Sequence, residues 1–516
     1  MDGLTKRGTF LNATVSSSSL PVFTKEPQPE GEEEPLLMNP AHPNNDTKMT
    51  WWSVLATCIA CLGGFLFGYD LGVVGGMLIA PSFQAYFHID PNNKIQEAEI
   101  NGNIVSVLQV GCLFGSLLAT STAGNALGRK YSIMTAAFVF TIGGVFQIIG
   151  YNLTILYLGR IISGLGVGAL SMLVPIYVAE IAHQRHRGLL GGLWMFFIAT
   201  GLASSYWSNY IVRILIDQHD NMLWRIPLII QVIPSIMLLF GMTWLFETPR
   251  WLCAHNKSEE ALQVLCKIRG SEDVKEEMEQ MQSSLNVQAK STTWKQAIST
   301  TNRKRLLLGC ALQALQQMTG TNVINYFSPI VFKSIGLSSN EAELLATGVY
   351  GILKMIVVLI GFSSLIDRFG RRPLLIGGGM AMGMCMYAVS VCVALNPINK
   401  TPHSMDTSSI SATAALGIVF MYSYAIFFAL SWGPCPWLYC SEIYPMSTRA
   451  KSTSLTTAVN WSFNAVIGKV SPIMLATSTI GTYIFFGSWC IAASVFCFVL
   501  LPETKGKTLE EINSLF

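Results

Sequence analysis

Asp70 lies in Gly68-Tyr69-Asp70-Leu71-Gly72, late in an apolar stretch that begins at Trp51. An aspartate at the centre of a membrane helix costs roughly 2.5–3.5 kcal/mol on insertion scales, so a carboxylate kept there is a candidate proton or ion site. It needs a partner. Arg160, early in the later apolar stretch Gly159-Arg160-Ile161-Ile162, is the natural one. An apolar surround favours the neutral acid, whereas a nearby guanidinium favours the carboxylate. Motion that changes the Asp70–Arg160 distance would therefore load or release a proton. The plainer alternative is a fixed structural ion pair.

A second group of residues is suited to a polyhydroxylated ligand such as a sugar. Amide side chains both donate and accept hydrogen bonds and carry no charge. Gln316, Gln317, Asn322 and Asn325 fall in one apolar stretch, and Asn460 and Asn464 in another, four residues apart on one helix face. Asn322 follows Gln317 by five positions, which a regular helix would point in a different direction. Gly320 between them is expected to allow local unwinding. Trp437, after Pro434 and Pro436, offers an apolar ring face and an N–H donor. The competing role for such polar groups is to hold helices together in lipid. Lys354, mid-run in Gly351-Ile352-Leu353-Lys354-Met355, reads as structural, with an acid partner or a substrate contact as the other options.

The elements that must position these residues are membrane helices. Only 12% of residues are charged and 51% are hydrophobic, against about 25% charged in soluble domains. Apolar stretches long enough to cross a bilayer, about 20 residues, recur from near Trp51, Ile100, Tyr131, Ile155, Leu189, Trp224, Arg305, Ala342, Pro373, Ala412, Thr453 and Gly481. Twelve helices are therefore expected. Arg129, Lys130, Arg185, Arg187, Arg371, Arg372, Arg449 and Lys451 fall in alternate loops, which the positive-inside rule makes cytoplasmic together with both termini. The expected organisation is a disordered tail over 1–48, a six-helix half over 49–248, a cytoplasmic helical linker over 249–304, a second half over 305–501 and a short tail over 502–516. The linker is expected to be helical around Glu259–Leu265 and Asp273–Met281. No cleavable signal peptide, disulfide or metal site is expected. Asn399-Lys400-Thr401 is a glycosylation sequon in an expected outer loop, whereas Asn12, Asn45 and Asn256 begin sequons on the other side. Glu32 through Leu36-Leu37 has the form of an acidic dileucine sorting signal, with a solvated acidic run as the simpler reading.

The two halves repeat. Gly128-Arg129-Lys130 matches Gly370-Arg371-Arg372, Tyr177-x-x-Glu180 with Arg187 matches Tyr439-x-x-Glu442 with Arg449, and Glu247-Thr248-Pro249 matches Pro502-Glu503-Thr504. Six-helix repeats about an axis along the membrane normal place a substrate site near the midplane between them. Arg129, Glu180 and Arg187, with Asp367, Arg371, Glu442 and Arg449, could form ion pairs at the cytoplasmic helix ends. Pairs bridging the halves would gate the inner mouth. Exposed pairs are weak, about 0–1 kcal/mol each, but a network can bias a balanced equilibrium. The alternative is that these charges only set topology.

From Trp51 to Phe516 the chain resembles the sugar porter family of the major facilitator superfamily, with a texture most similar to fungal members. The resemblance rests on Gly63 to Asp70, Gly159-Arg160, Pro175-x-Tyr177-x-x-Glu180, Glu247-Thr248-Pro249-Arg250-Trp251-Leu252, Gln316-Gln317-Met318-Thr319-Gly320-x-Asn322, Asp367-Arg368-Phe369-Gly370-Arg371-Arg372, Gly433-Pro434-Cys435-Pro436-Trp437 and Pro502-Glu503-Thr504-Lys505-Gly506, all in order. It implies the all-α, twelve-helix major facilitator fold, alternating access and a monosaccharide or polyol substrate. Proton-coupled members carry aspartate where this chain has Asp70, paired with the arginine matching Arg160. The glutamines, asparagines and tryptophan matching those above contact sugar. Two positions depart from the family pattern. Met195 stands where a substrate-binding glutamine is usual, and Asn125 where many relatives carry aspartate before Gly128.

The expected function is proton-coupled import of a hexose or pentose across the plasma membrane by a functional monomer. The proton is the coupling ion, with no cofactor, no nucleic-acid partner and no enzymatic activity. Vacuolar or other endomembrane placement is the alternative location. A facilitative uniporter, a symporter for a polyol, inositol or an acidic sugar, and a non-transporting sugar receptor are the rival functions.

Overall fold

Each apolar run folds as an α-helix. A computed structural model describes residues 50–516, apart from 91, 125–126, 184–186, 271–273, 289–293, 295–297, 338, 362–367, 396–410, 446–447, 508–510 and 512–516. These residues belong to one unit, Thr47–Phe516. The expected tail, the dileucine segment, Asn125, Asp367 and the sequons at Asn12, Asn45 and Asn399 lie outside the described residues.

Helix α1 (Trp51–Leu78) starts at Thr50, whose hydroxyl accepts the N–H of Ser53. The short α2 (Pro81–Tyr86) precedes α3 (Lys94–Gly124), α4 (Gly128–Ile149), α5 (Leu153–Ile181), α6 (Arg187–Leu215) and α7 (Met222–Trp244). Three shorter helices follow: α8 (Pro249–Ala254), α9 (Ser258–Arg269) and α10 (Lys275–Gln288). The remaining helices are α11 (Thr300–Met318), α12 (Thr321–Ile335), α13 (Asn340–Gly361), α14 (Arg371–Leu395), α15 (Ala412–Leu430), α16 (Cys435–Glu442), α17 (Arg449–Thr477) and α18 (Thr479–Leu500). No strand occurs among the described residues. The helices start at or before the expected positions, most noticeably α3 at Lys94 rather than Ile100 and α11 at Thr300 rather than Arg305. Hydrophobicity marks the apolar part of a span, and the helix continues beyond it into a polar first turn.

Among the described residues ten helices are long and apolar enough to cross a membrane, with α15 and α16 counted as one. The two expected spans that fall short are α11–α12 and α17. The break at Gly320 leaves α12 only 15 residues long, α11 carries Arg303-Lys304-Arg305 near its start, and both stretches are rich in amides, among them Gln313, Gln316, Gln317, Asn322, Asn325, Asn460 and Asn464.

The two copies of the repeat meet along specific helix pairs. Helix α17 lies against α3, where Ser454 Oγ donates to Ser116 O at 3.1 Å and Lys469 Nζ to Asn103 Oδ1 at 2.5 Å. Tyr206 of α6 donates to the carbonyl of Asn325 on α12 at 2.8 Å. The helices at 249–288 dock on the first copy. Ser53 Oγ donates to Ile268 O at 2.9 Å, and Thr50 donates to the same carbonyl. Arg269 grips Glu277 through two bonds of 2.9 and 2.7 Å and reaches Ile181 O at 2.8 Å. Apolar residues of α9 complete the fixation by joining the core of α1, α4 and α5.

Candidate functional site

Asp70 and Arg160 form an ion pair, with Arg160 Nη1 donating to Asp70 Oδ1 at 2.9 Å; their side chains are 2% and 0% exposed. Arg160 Nε also donates to Ile104 O of α3 at 3.2 Å. Pairing is what makes two buried charges tolerable. Asp70 Oδ2 and Arg160 Nη2 nonetheless have no hydrogen-bond partner among the described residues. The pair is therefore held at one contact rather than locked as a two-pronged fork.

A cavity lies between the two copies. It holds about 920 Å³ of empty space when its open mouth is included. All eight residues proposed from sequence for substrate contact line it: Met195, Gln316, Gln317, Asn322, Asn325, Trp437, Asn460 and Asn464. Gly320 explains how the seventh stretch delivers its amides. It adopts φ +85°, a left-handed conformation that ends α11 and starts α12. Across that break Asn322 Nδ2 reaches Gln317 Oε1 at 2.6 Å, the pair a regular helix would have kept apart. Asn325 Nδ2 continues the row to Asn322 Oδ1 at 3.0 Å, and Gln317 Nε2 donates to Asn460 Oδ1 at 2.9 Å. Asn460 in turn donates to Gln316 Oε1 at 2.8 Å and to Gln313 Oε1 at 2.7 Å. The tenth stretch breaks too, between α15 and α16, and Gln316 Nε2 caps the freed carbonyls of Trp432 and Gly433 at 2.7 and 3.1 Å. The amides thus serve two roles at once. They hold the broken helices in place, and they line the cavity.

A β-carbon on Gly320 would sit 2.7 Å from the ring of Phe486 as well as in strained backbone. Gly320→Ala is expected to cost about 1–3 kcal/mol from the backbone alone. A lowered melting temperature of the purified protein and at least tenfold weaker substrate binding check this. An unchanged binding curve would mean that the break does not shape the site.

Sequence reasoning missed several members. Gln109 Nε2 donates to Tyr326 OH at 2.8 Å, and Tyr326 OH donates to Asn464 Oδ1 at 3.2 Å. Tyr326 thus stands behind Asn464, one hydrogen bond away from the cavity lining. Gln313 was findable, because it lies one helical turn before Gln316 and Gln317. Gln109 and Tyr326 carry no such pattern. Lys354, read as structural, lines the cavity beside the amide row.

The repeated motifs build the same network twice. Glu247 accepts the backbone N–H groups of Arg129 and Lys130, both at 3.0 Å, and Glu503 those of Arg371 and Arg372 at 3.0 and 2.9 Å. Each carboxylate thereby sits at a helix start, where the backbone dipole favours negative charge. Burial pushes the Glu247 carboxyl up, and the N–H groups of Thr248, Lys130 and Arg129 pull it back. Arg129 pairs with Glu180 at 2.9 Å and Arg371 with Glu442 at 2.8 Å. Thr248 and Thr504 hydroxyls donate to the same two glutamates at 2.6 and 2.7 Å. Both pairs close within one copy, whereas the sequence reading considered pairs bridging the copies. The reason is local: each glutamate is already held by the threonine of its own copy. Arg449 donates to Tyr444 O at 3.3 and 3.2 Å. Arg187 starts α6.

Comparison with known proteins agrees with this geometry. Residues 56–516 match the family model described as "Sugar (and other) transporter". The chain is 32% identical over 495 residues to a quinate permease of Neurospora terricola, covering 93% of this chain and 92% of that one. It is 35% identical over 481 residues to a probable quinate permease of Aspergillus flavus, covering 90% and 87%. The xylose transporter XylE from E. coli, in a partially occluded inward-open conformation, superposes with a TM-score of 0.75 at 28% identity, covering 89% of this chain and 100% of that one. The proton:xylose symporter XylE bound to 6-bromo-6-deoxy-D-glucose gives 0.73 at 28% identity, covering 91% and 100%. With its helical fold, its duplicated motifs and its amide-lined cavity, this chain belongs to the sugar transporter family, the sugar porters of the major facilitator superfamily.

Proposed function

We propose that this protein is a proton-coupled importer of a small polyhydroxylated ring, working by alternating access in the plasma membrane. Helices α11–α12 and α17 complete twelve spans in two six-helix halves, over 49–248 and 305–501. The helices of 249–304 are a cytoplasmic linker, and both termini are cytoplasmic. The functional unit is a monomer.

The observation that carries this reading is the fully buried Asp70–Arg160 pair on the helices that also line the amide-rich cavity through Leu71 and Ser171. Protonation of Asp70 removes one charge of the pair and weakens its hold on Arg160. Substrate bound in the cavity feels that change through α1 and α5, which carry the pair and line the cavity. The amide row of Gln317, Asn322 and Asn325 supplies donors and acceptors for ring hydroxyls, and Trp437 offers an apolar face. Asp70 and Arg160 are thus the coupling residues. The Arg129–Glu180 and Arg371–Glu442 pairs stiffen the cytoplasmic end of each half, so that each rocks as a body.

A monosaccharide, hexose or pentose, fits such a row and agrees with the XylE likeness. A second reading is favoured by the relatives named as quinate permeases, and by Met195, whose thioether cannot replace an amide's hydrogen bonds: a cyclic hydroxy acid. Uptake of labelled D-xylose, D-glucose and quinate into transporter-deficient cells, at acidic and neutral outside pH, tests the proposal. Acid-stimulated accumulation of one of them is expected. Uptake indifferent to pH would make the protein a uniporter, and binding without uptake a receptor.

A further inference from the structure

Lys354 is a buried basic side chain with no counter-charge among the described residues. Its side chain is 8% exposed and faces the cavity from α13. Among the described residues no carboxylate lies within ion-pair distance of it. Its Nζ donates to Asn325 Oδ1 at 3.2 Å, and the rings of Phe428 and Tyr350 lie 5.0 and 5.7 Å away. One neutral acceptor and two ring faces leave most of the demand of an ammonium unmet, because a desolvated charge requires a counter-charge. The ammonium also stands at the end of the hydroxyl-binding row: Lys354 contacts Asn325, Asn325 contacts Asn322, and Asn322 contacts Gln317.

We infer that Lys354 is the carboxylate-binding residue of the cavity, and that the substrate is a cyclic polyhydroxy monocarboxylate rather than a neutral sugar. The ring hydroxyls lie along Asn325, Asn322 and Gln317 while the carboxylate takes the free N–H groups of Lys354. This rests on the cavity being the transport site. It also changes the electrical character of transport. At one proton per substrate, a monoanion crosses with no net charge, whereas a neutral sugar carries one positive charge inward.

Equilibrium binding to the purified full chain tests the assignment, with three probes: quinate, its methyl ester, which keeps the ring and hydroxyls but loses the charge, and D-xylose. An ion-paired hydrogen bond is worth enough to expect quinate to bind about tenfold or more tighter than the ester. Lys354→Met, linear and uncharged, is expected to erase that preference, so that quinate and its ester bind alike whatever the loss of the Asn325 contact costs both of them. Equal binding of quinate and ester by the intact protein overturns the assignment, and does so even if the variant fails to fold. Persistence of the preference in Lys354→Met overturns it as well. Binding of D-xylose in preference to both overturns it while leaving the transporter reading intact. Binding of none of the three, with no uptake in cells, overturns both.

Discussion

Asp70→Asn is expected to abolish accumulation of substrate while leaving exchange across the membrane. Asparagine keeps the side-chain shape and an oxygen that can accept from Arg160 Nη1, now 2.9 Å from Asp70 Oδ1. It cannot take up or release a proton. A gradient of one pH unit is worth about 1.4 kcal/mol per proton, or tenfold accumulation. A membrane potential of 100 mV adds about 2.3 kcal/mol for each net charge moved. With coupling lost, the inside-to-outside ratio of labelled substrate should stop following the pH gradient, settling at unity for a neutral sugar and below unity for a monoanion at an inside-negative potential. Counterflow, which needs no proton, should persist. Unchanged accumulation in the variant would remove Asp70 from the coupling step.

Arg160→Met is expected to be the most destabilising single change at this site. It leaves the Asp70 carboxylate buried with no cationic partner, and breaking a buried pair from one side costs about 3–5 kcal/mol. The guanidinium also bridges helices, since Arg160 Nε holds Ile104 O. Joining Arg160→Met with Asp70→Asn removes both charges, so much of the lost stability should return. Accumulation should not return with it. Thermal melting of the three variants in detergent, alongside uptake in cells, separates the two effects. A double variant that melts normally and still accumulates substrate would make the ion pair purely structural.

Much of the site was legible in the sequence because its residues are expensive where they stand. A carboxylate, a guanidinium and a run of amides in apolar helices each require a partner, and Asp70, Arg160, Gln317 and Asn460 all have one. The Gln317–Asn322 contact followed from one glycine, because only a broken helix brings residues five apart together. What stayed hidden depends on helix orientation. Lys354 is conspicuous as a charge, but its sequence neighbours do not reveal that it faces the cavity rather than the core. Tyr326 and Gln109 are ordinary residues until the fold brings α12 and α3 within hydrogen-bond reach. The repeated glutamates were plain from spacing. That they close their ion pairs within one copy depends on Thr248 and Thr504, whose hydroxyls reach them only in three dimensions. The two spans that fall short carry all the cavity-lining amides, and one of them is divided at Gly320, so the signal of a membrane span is weakest where the chemistry is densest.

Substrate-evoked proton entry tests the coupling most directly. The purified full chain would be reconstituted in sealed vesicles holding a pH-sensitive dye, at equal pH on both sides, and substrate added outside. The expected result is acidification of the lumen in step with uptake of labelled substrate, absent in Asp70→Asn vesicles. Uptake of the label with no change in luminal pH would contradict proton coupling through Asp70.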